Sequence, residues 1–299
     1  MTPPKRRYRN AAATLALLPM AATVVFAYAG TMAWTVRVSF SSSRTLPASD
    51  FVGLRQYERL FETERWTLSL QNLALFGIVF LVACLVIGFL LAIFIDQRVR
   101  GEGLLRTVFL YPYAMSFVAT GLVWQWMLNP GLGLQATLRG LGLEGFTFDW
   151  IVRQDMAIFA VALAAVWQSS GLVMALMLAG LRGIDESLWM AARIDGIPAW
   201  RTYASIVAPQ LGPSFATAFV LLAVTVVKVY DVVVAMTLGG PGLASEVPAK
   251  FIIDNLFGRA NIGLASAAST VMLATVLAFL APWLHARRRP AHGGGAFAA

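Results

Sequence analysis

Two side chains of opposite charge, Lys228 and Asp231, lie three residues apart inside a long apolar run of this 299-residue chain. If the run is helical, residues three apart share one face, so the two side chains can pair. Charged groups at membrane depth are costly and usually face a partner or a cavity. The pair is therefore compatible with two roles: a neutralised ion pair that holds helix geometry, or a pair that lines a pathway for a polar solute.

Amides, hydroxyls and a phenol also interrupt the apolar runs, accompanied by the tryptophans Trp124, Trp126 and Trp167. Tryptophan is enriched at membrane interfaces in general, so these three are also compatible with anchoring. Substrate sites of membrane transporters tend to lie near the midplane, which favours Gln168 and Lys228 over Trp126. The predicted substrate pathway is Gln125, Gln168, Ser169, Lys228, Tyr230 and Asp231.

The rest of the inventory excludes several kinds of chemistry. One cysteine, Cys84, and two histidines, His285 and His292, are too few for a Cys/His metal cluster or an intramolecular disulfide. None of the three lysines follows a glycine, so none belongs to a phosphate-binding Gly-Lys-Ser/Thr loop. Both histidines lie near the end of the chain, far from a nucleophile. The sequence therefore predicts no catalytic residue, no metal site and no cofactor bound by this chain.

The elements that position these groups are long apolar helices. Hydrophobic residues make up 59% of the chain and charged residues 13%, against roughly 45–50% and 25% in soluble domains. Runs of about 20 apolar residues recur, which is the length of a helix that crosses a bilayer. The predicted fold is all-α with six spans: Thr14–Val36, Asn72–Ile95, Thr107–Leu128, Met156–Leu181, Ser214–Leu238 and Gly263–Leu284. Pro112 interrupts the third span.

Basic residues are concentrated on one side of these spans. If the N-terminus is cytoplasmic, the cytoplasmic segments carry thirteen basic and five acidic residues, and the opposite side carries nine of each. The whole net charge of +8 then falls on one side, which predicts that both termini are cytoplasmic. This distribution favours a protein embedded in membrane lipid over one that binds nucleic acid. We predict a cytoplasmic segment 1–13, a six-span transmembrane domain 14–284 that includes the cytoplasmic loop 181–213, and a tail 285–299 that we expect to be disordered.

Three loops on the opposite side are longer than simple connections require: Arg37–Gln71, Asn129–Asp155 and Gly239–Ile262. Their composition is compatible with a surface for an extracytoplasmic partner and equally with loops packed on the protein itself.

The cytoplasmic loop 181–213 has the pattern of two short helices joined by a turn. Asp185 can cap the first helix, because its carboxylate can accept the free amides of the first turn. Gly196 stands where a helix ends with positive φ, and Pro198 suits the first turn of the next helix. One face of the second helix is predicted to carry Trp200, Tyr203, Ile206 and Val207. The loop could rest on the membrane surface, or it could dock on a partner that the small side chains allow to approach closely.

This loop resembles the EAA loop of bacterial binding-protein-dependent ABC importer permeases. The family pattern of Glu-Ala-Ala, Asp-Gly, Ile and Pro maps onto Met190, Ala191, Ala192, Asp195, Gly196, Ile206 and Pro209. Other positions resemble the carbohydrate-type subfamily: Phe51-Val52-Gly53-Leu54, Tyr57, Asn72, Pro112 and Gly239-Gly240-Pro241. The overall pattern is most similar to permeases of glucose- or mannose-type importers. One position departs from the family, since Met190 replaces the usual Glu, and Glu186 one turn earlier is a candidate substitute.

The resemblance implies the type I importer fold in the bacterial inner membrane. It implies four kinds of partner: a second permease, two ATPases that bind ATP and Mg, a periplasmic solute-binding protein and membrane lipid. A mono- or small oligosaccharide would cross by alternating access, driven through the loop. The coupling residues implied are Glu186, Met190, Ala191, Ala192, Asp195, Gly196, Pro198, Ile206 and Pro209.

Two other classes remain open at this point. An ion- or proton-coupled secondary transporter would use Asp231 as its coupling carboxylate. A membrane enzyme would need a substrate-modifying activity from this chain alone.

Overall fold

The computed structural model describes residues 6–97 and 99–287, with side chains at 15–97 and 99–278. Over these residues the chain forms helices, turns and loops without a β-strand, which confirms the all-α prediction. The predicted segments 1–13 and 285–299 lie outside the described side chains.

The α-helices described are α1 (Arg6–Val24), α2 (Thr31–Ser39), α3 (Arg55–Glu62), α4 (Glu64–Asp96), α5 (Glu102–Leu110), α6 (Phe117–Met127), α7 (Leu134–Gly140), α8 (Ala157–Leu181), α9 (Glu186–Ile194), α10 (Ala199–Arg201), α11 (Ala208–Gln210), α12 (Gly212–Val227), α13 (Asp231–Thr237), α14 (Pro248–Ile253) and α15 (Ile262–Arg287). Shorter segments connect some of them: π-helical Val25–Gly30, Thr202–Val207 and Asp254–Gly258, and the 3-10 helix Tyr111–Ala114.

Three helices are long and apolar enough to cross a membrane: Leu15–Ser39, α4 and α8. The start of α8 agrees with the predicted span to one residue. In contrast, α4 begins at Glu64, eight residues before the predicted Asn72, because a polar first stretch continues the same helix. Two pairs of bent helices raise the number to five if each pair counts as one span. The six-span count therefore stays a prediction.

The predicted third span is broken by a sharp bend. Pro112 lies at the start of the 3-10 helix, as suits a residue without an N–H. The chain is then extended at Met115 and Ser116 before α6 begins, and the two halves meet at 100°. The Ser116 hydroxyl accepts a hydrogen bond from the Ala119 N–H at 3.1 Å and so caps α6. Pro112 marks the region correctly, but the bend follows it by three residues.

The predicted fifth span is also broken, which corrects the proposed pairing of Lys228 with Asp231. Helix α12 ends at Val227 and α13 starts at Asp231, with Tyr230 at φ −143° between them. The two residues therefore do not share a helical face, and no ion pair within 4 Å joins them in the part of the chain described. Beyond the break, α13 lies against α6 so closely that a Cβ at Gly121 would be 2.5 Å from the Ala235 Cβ.

Residues 64–251 form one compact unit whose centre is the pair α4 and α8. Large side chains such as Phe76, Phe80 and Met174 are fully buried there. Small residues bring the helices together, as is usual between helices in membranes. A Cβ at Gly88 would lie 2.5 Å from the Val173 Cβ, and one at Gly171 would lie 2.0 Å from the Phe109 carbonyl oxygen.

The described residues before 64 and after 251 form a second compact unit. In it α15 packs on α2 and α3, and the Gly263 N–H donates to the Ser43 carbonyl at 2.8 Å. The Tyr57 and Ser39 hydroxyls lie 2.6 Å apart. Gln56 donates to the Ser41 carbonyl at 2.9 Å. The predicted first external loop is therefore packed by its own residues, at least in part. Whether the six spans form one domain stays a prediction.

We expect Gly171→Ala and Gly88→Ala to destabilise the protein by about 1–3 kcal/mol each, because the added methyl meets a packed neighbour. The control is Gly103→Ala in α5, where nothing lies within 4 Å of the added Cβ. Thermal unfolding of the detergent-solubilised protein measures all three. Equal melting temperatures for Gly171→Ala and Gly103→Ala would contradict the helix contact.

Candidate functional site

The matched loop folds as a capped hairpin of two short helices, residues 185–211. The Asp185 carboxylate accepts a hydrogen bond from the Ser187 N–H at 2.8 Å, and this bond holds the pKa of Asp185 below its usual range. Gly196 has φ 68°, and the Ile197 N–H closes the turn on the Ala192 carbonyl at 3.0 Å. Pro198 immediately precedes α10. The predicted cap and corner of the hairpin are confirmed.

The inner face of the hairpin holds its two helices together. Ala192, Thr202 and Val207 are buried, and the rings of Trp189 and Tyr203 meet edge to face with centroids 5.1 Å apart. The prediction for the second helix was wrong at one residue, because Trp200 is exposed instead of sharing this face. The segment Thr202–Val207 is π-helical, so its wider turn rotates the later residues relative to Trp200.

The predicted coupling residues divide between the two faces. Ala192 is buried and Ile206 is half-buried, so both contribute to the packing of the hairpin. The others are exposed: Glu186, Met190, Ala191, Asp195, Gly196, Pro198 and Pro209. This outer surface continues with Ile194, an apolar side chain open to solvent that the sequence pattern did not single out. The hairpin therefore presents small and apolar groups to whatever covers it.

A cavity of about 1190 Å³ lies behind the hairpin. Its walls include Asp96 and Glu102 from the ends of α4 and α5, and Trp189 and Tyr203 from the hairpin. Trp189 and Tyr203 also pack against the apolar core, so the hairpin contacts the helix bundle beside this cavity.

The predicted pathway residues occupy two different environments. Lys228 and Asp231 are exposed, and Tyr230 and Gln125 are half-buried. Gln168 and Ser169 are buried inside the bundle. Across the described chain no hydrogen bond or ion pair joins any two of the six predicted residues. Lys228, Tyr230 and Asp231 lie at one helix break, and Gln125 lies on α6, which packs against α13. Gln168 and Ser169 belong to α8.

Gln168 has a structural partner. Its side chain is 1% exposed, and its Nε2 donates to the Met115 carbonyl at 2.7 Å. Met115 lies in the extended stretch between the 3-10 helix and α6, where a carbonyl lacks its usual helical donor. The Gln168 amide supplies that donor from α8. Its position in the sequence, inside an apolar run, did not reveal this function.

Sequence reasoning missed a buried ionic cluster at the loop that we predict to be the third external one. The Glu246 side chain, 2% exposed, accepts hydrogen bonds from Arg65 Nη2 and Nε at 2.5 and 2.9 Å. Lys250 Nζ lies 3.6 Å from its other oxygen. The Asn72 side chain donates to the Leu243 and Glu246 carbonyls at 2.9 and 3.0 Å. Glu246 and Lys250 are four residues apart, a spacing that predicts an ion pair on a helix. No residue near Glu246 in the sequence indicates that Arg65 is its other partner.

We predict that Glu246→Gln destabilises the protein by about 3 kcal/mol, because it leaves the Arg65 charge buried without its carboxylate. Asp155→Asn is the control, since Arg153 and Asp155 form an exposed pair that contributes at most about 1 kcal/mol. Thermal unfolding in detergent compares the two variants. If both variants lower the melting temperature equally, burial does not make the Glu246 cluster contribute more to stability than the exposed pair does, and the prediction is wrong.

Comparison with known proteins gives three informative matches. Residues 85–290 match a family model. The family is described as "binding-protein-dependent transport system inner membrane component". A probable ABC transporter permease protein of Pyrococcus horikoshii is 35% identical over 254 residues, which cover 84% of this chain and 87% of that protein. The xylose/arabinose import permease protein of Haloferax volcanii is 30% identical over 272 residues, which cover 90% of this chain and 85% of that protein.

A solved structure shares the fold. It is the crystal structure of a bacterial alginate ABC transporter in complex with an alginate pentasaccharide-bound periplasmic protein. One chain of it superposes with a TM-score of 0.79 at 19% identity, covering 96% of this chain and 97% of that one.

Proposed function

The chain belongs to the family of inner membrane components of binding-protein-dependent transport systems, and on this premise we propose that it is the carbohydrate permease subunit of an ATP-binding-cassette importer. The observation that carries the proposal is the capped hairpin 185–211 inside the matched region. The sugar import permease of Haloferax volcanii and the fold of the alginate importer support a carbohydrate as solute. The glucose- or mannose-type resemblance stays a prediction.

We propose that the exposed face of the hairpin docks on a separate ATPase subunit. Ala191 and Gly196 have little or no side chain to prevent close approach, and both are exposed. Met190 is 54% exposed, so its contribution there is apolar contact instead of the charge that Glu supplies in the family. Glu186 is exposed one turn earlier and can supply a carboxylate to the same partner.

The remaining parts of the proposed importer lie outside this chain. Two ATPases bind ATP and Mg and hydrolyse the nucleotide, and a second permease completes the membrane core. A periplasmic binding protein delivers the solute, in line with the periplasmic protein in the alginate transporter complex. Six spans in the inner membrane, with both termini cytoplasmic, agree with the charge distribution of the loops.

The exposed charges at the helix break support a position for the solute pathway. Lys228 and Asp231 lie within an apolar stretch, and lipid cannot solvate them. We therefore propose that the surface around Lys228 and Asp231 lines a polar pathway, and that the second permease closes this pathway. Lys228, Tyr230 and Asp231 are the residues we place at the pathway, with Gln125 on α6. Gln168 and Ser169 are buried, and their place in the pathway stays a prediction.

An ion-coupled transporter is not favoured, because the family is defined by transport that depends on a binding protein. Uptake into cells separates the two mechanisms. Depletion of ATP at constant membrane potential should abolish uptake, whereas an uncoupler at constant ATP should leave it unchanged. The opposite result would overturn the proposal.

We predict that Gly196→Pro releases the ATPase subunit from the purified importer while the permease still inserts. Proline cannot adopt φ 68°, so the corner of the hairpin must change. Gly142→Pro is a matched control, because Gly142 also has positive φ, 99°, and also donates its N–H to a carbonyl three residues earlier. Co-purification of the ATPase is the measurement, and retention by Gly196→Pro would argue against docking through the hairpin.

We expect Asp231→Asn to lower solute uptake about tenfold, comparable to the loss of one hydrogen bond to a charged group. Assembly with the ATPase should be unaffected, because the side chain is exposed at the helix break. Glu144→Gln, an exposed carboxylate in an external loop, is the control and should transport normally. Failure of Asp231→Asn to assemble would instead assign the residue a structural role.

A further inference from the structure

Three helix ends meet beside the hairpin. Helix α4 ends at Asp96, α5 begins at Glu102, and Arg182 directly follows α8. Arg182 Nη2 donates to Glu102 Oε1 at 2.8 Å, and Arg182 Nε lies 4.0 Å from Asp96 Oδ1. One guanidinium therefore faces a carboxylate from each of two other helices, an arrangement that its planar fork of donors allows.

The local backbone brings Glu102 to this position. Gly101 has φ 81°, which permits the turn between α4 and α5. Glu102 is then the first residue of α5, where the positive end of the helix favours a carboxylate.

Arg106 binds the same carboxylate, but the bond stays within α5 and joins no second helix. Its Nη2 donates to Glu102 Oε1 at 2.5 Å, from one turn along the same helix. Arg182 differs because it links α5 to the end of α8. The two arginines thus share an acceptor and differ in whether the bond crosses between elements.

Arg182 stands at the root of the hairpin. It precedes the capping residue Asp185 by three positions, and the cavity behind the hairpin is lined by Asp96, Glu102 and Arg182. Trp189 and Tyr203 of the hairpin line the same cavity and pack against the apolar core. The ionic contacts of Arg182 add a polar link between the connection that leads into the hairpin and the ends of α4 and α5.

We propose that Arg182 is a positioning residue that ties the hairpin to α4 and α5, so that a push on α9 moves the ends of α4, α5 and α8 together. The proposal rests on the proposed function, in which an ATPase moves the hairpin. The Arg182 and Glu102 side chains are 43% and 27% exposed, so their pairing contributes little to stability. Its loss should affect the coupling of ATP hydrolysis to transport more than folding.

The test uses the complete importer in liposomes, with binding protein and solute, and measures solute transported per ATP hydrolysed. Arg182→Gln should lower this ratio by about two- to fivefold, the size expected for one partly exposed ion pair. Arg106→Gln removes a bond to the same carboxylate within one helix and should leave the ratio unchanged. Arg182→Lys keeps the charge without the fork and should fall between wild type and Arg182→Gln.

A double substitution tests whether Arg182 acts through Glu102. Arg182→Gln combined with Glu102→Gln should be no worse than the poorer single variant, because the two side chains form one interaction. Additive losses, or equal losses in Arg182→Gln and Arg106→Gln, would overturn the inference. So would a failure of Arg182→Gln to assemble with the ATPase, since the pair would then be needed for folding.

The wild-type importer separates this inference from the proposed function. If the wild type does not couple ATP hydrolysis to transport, both are wrong. If the wild type couples and Arg182→Gln couples equally well, only the inference about Arg182 is wrong.

Discussion

The hydrogen bond from the buried Gln168 amide to the Met115 carbonyl joins α8 to the bend between the 3-10 helix and α6. A backbone carbonyl held away from water is costly without a donor. The bend between the 3-10 helix and α6 releases such a carbonyl, and the side chain from α8 satisfies it. That bend directs α6 toward α13, where Gly121 lies against Ala235. The same packing accompanies the second break, which exposes Lys228 and Asp231.

Three groups of charged residues in the described part of the chain lie in different environments. The cluster at Glu246 is buried and paired, so it stabilises the loop before α14. The contact of Arg182 with Glu102 is partly exposed and joins separate elements, and we propose that it positions them. Lys228 and Asp231 are exposed at a helix break within an apolar stretch, and charges there require a polar surrounding. The degree of burial, more than the residue type, distinguishes the charged groups that stabilise the fold from those to which we assign a function.

The hairpin shows how a motif position can change without loss of the fold. Its shape depends on the Asp185 cap, the positive φ of Gly196 and the packing of Ala192 and Tyr203. Met190 contributes to none of these; its side chain is exposed and lines the cavity beside the hairpin. Replacement of the family's Glu by Met therefore leaves the hairpin intact and changes only an exposed surface. The cap and corner were predictable because both depend on residues within a few positions of each other.

Local physical chemistry was sufficient for part of this structure. The length of the apolar runs determined α8 to one residue at its start, and the capping residues determined the hairpin. Tertiary packing decided the rest. The break at residues 228–230 contains neither glycine nor proline, so helix periodicity alone continues through it. Gln168 and Met115 are 53 residues apart, and Arg65 and Glu246 are 181 apart, so only the folded chain brings each pair together. Local sequence determines which helices form, because their hydrogen bonds are short-range. It leaves open where a helix bends and which polar groups pair, because those depend on neighbours that are distant in sequence.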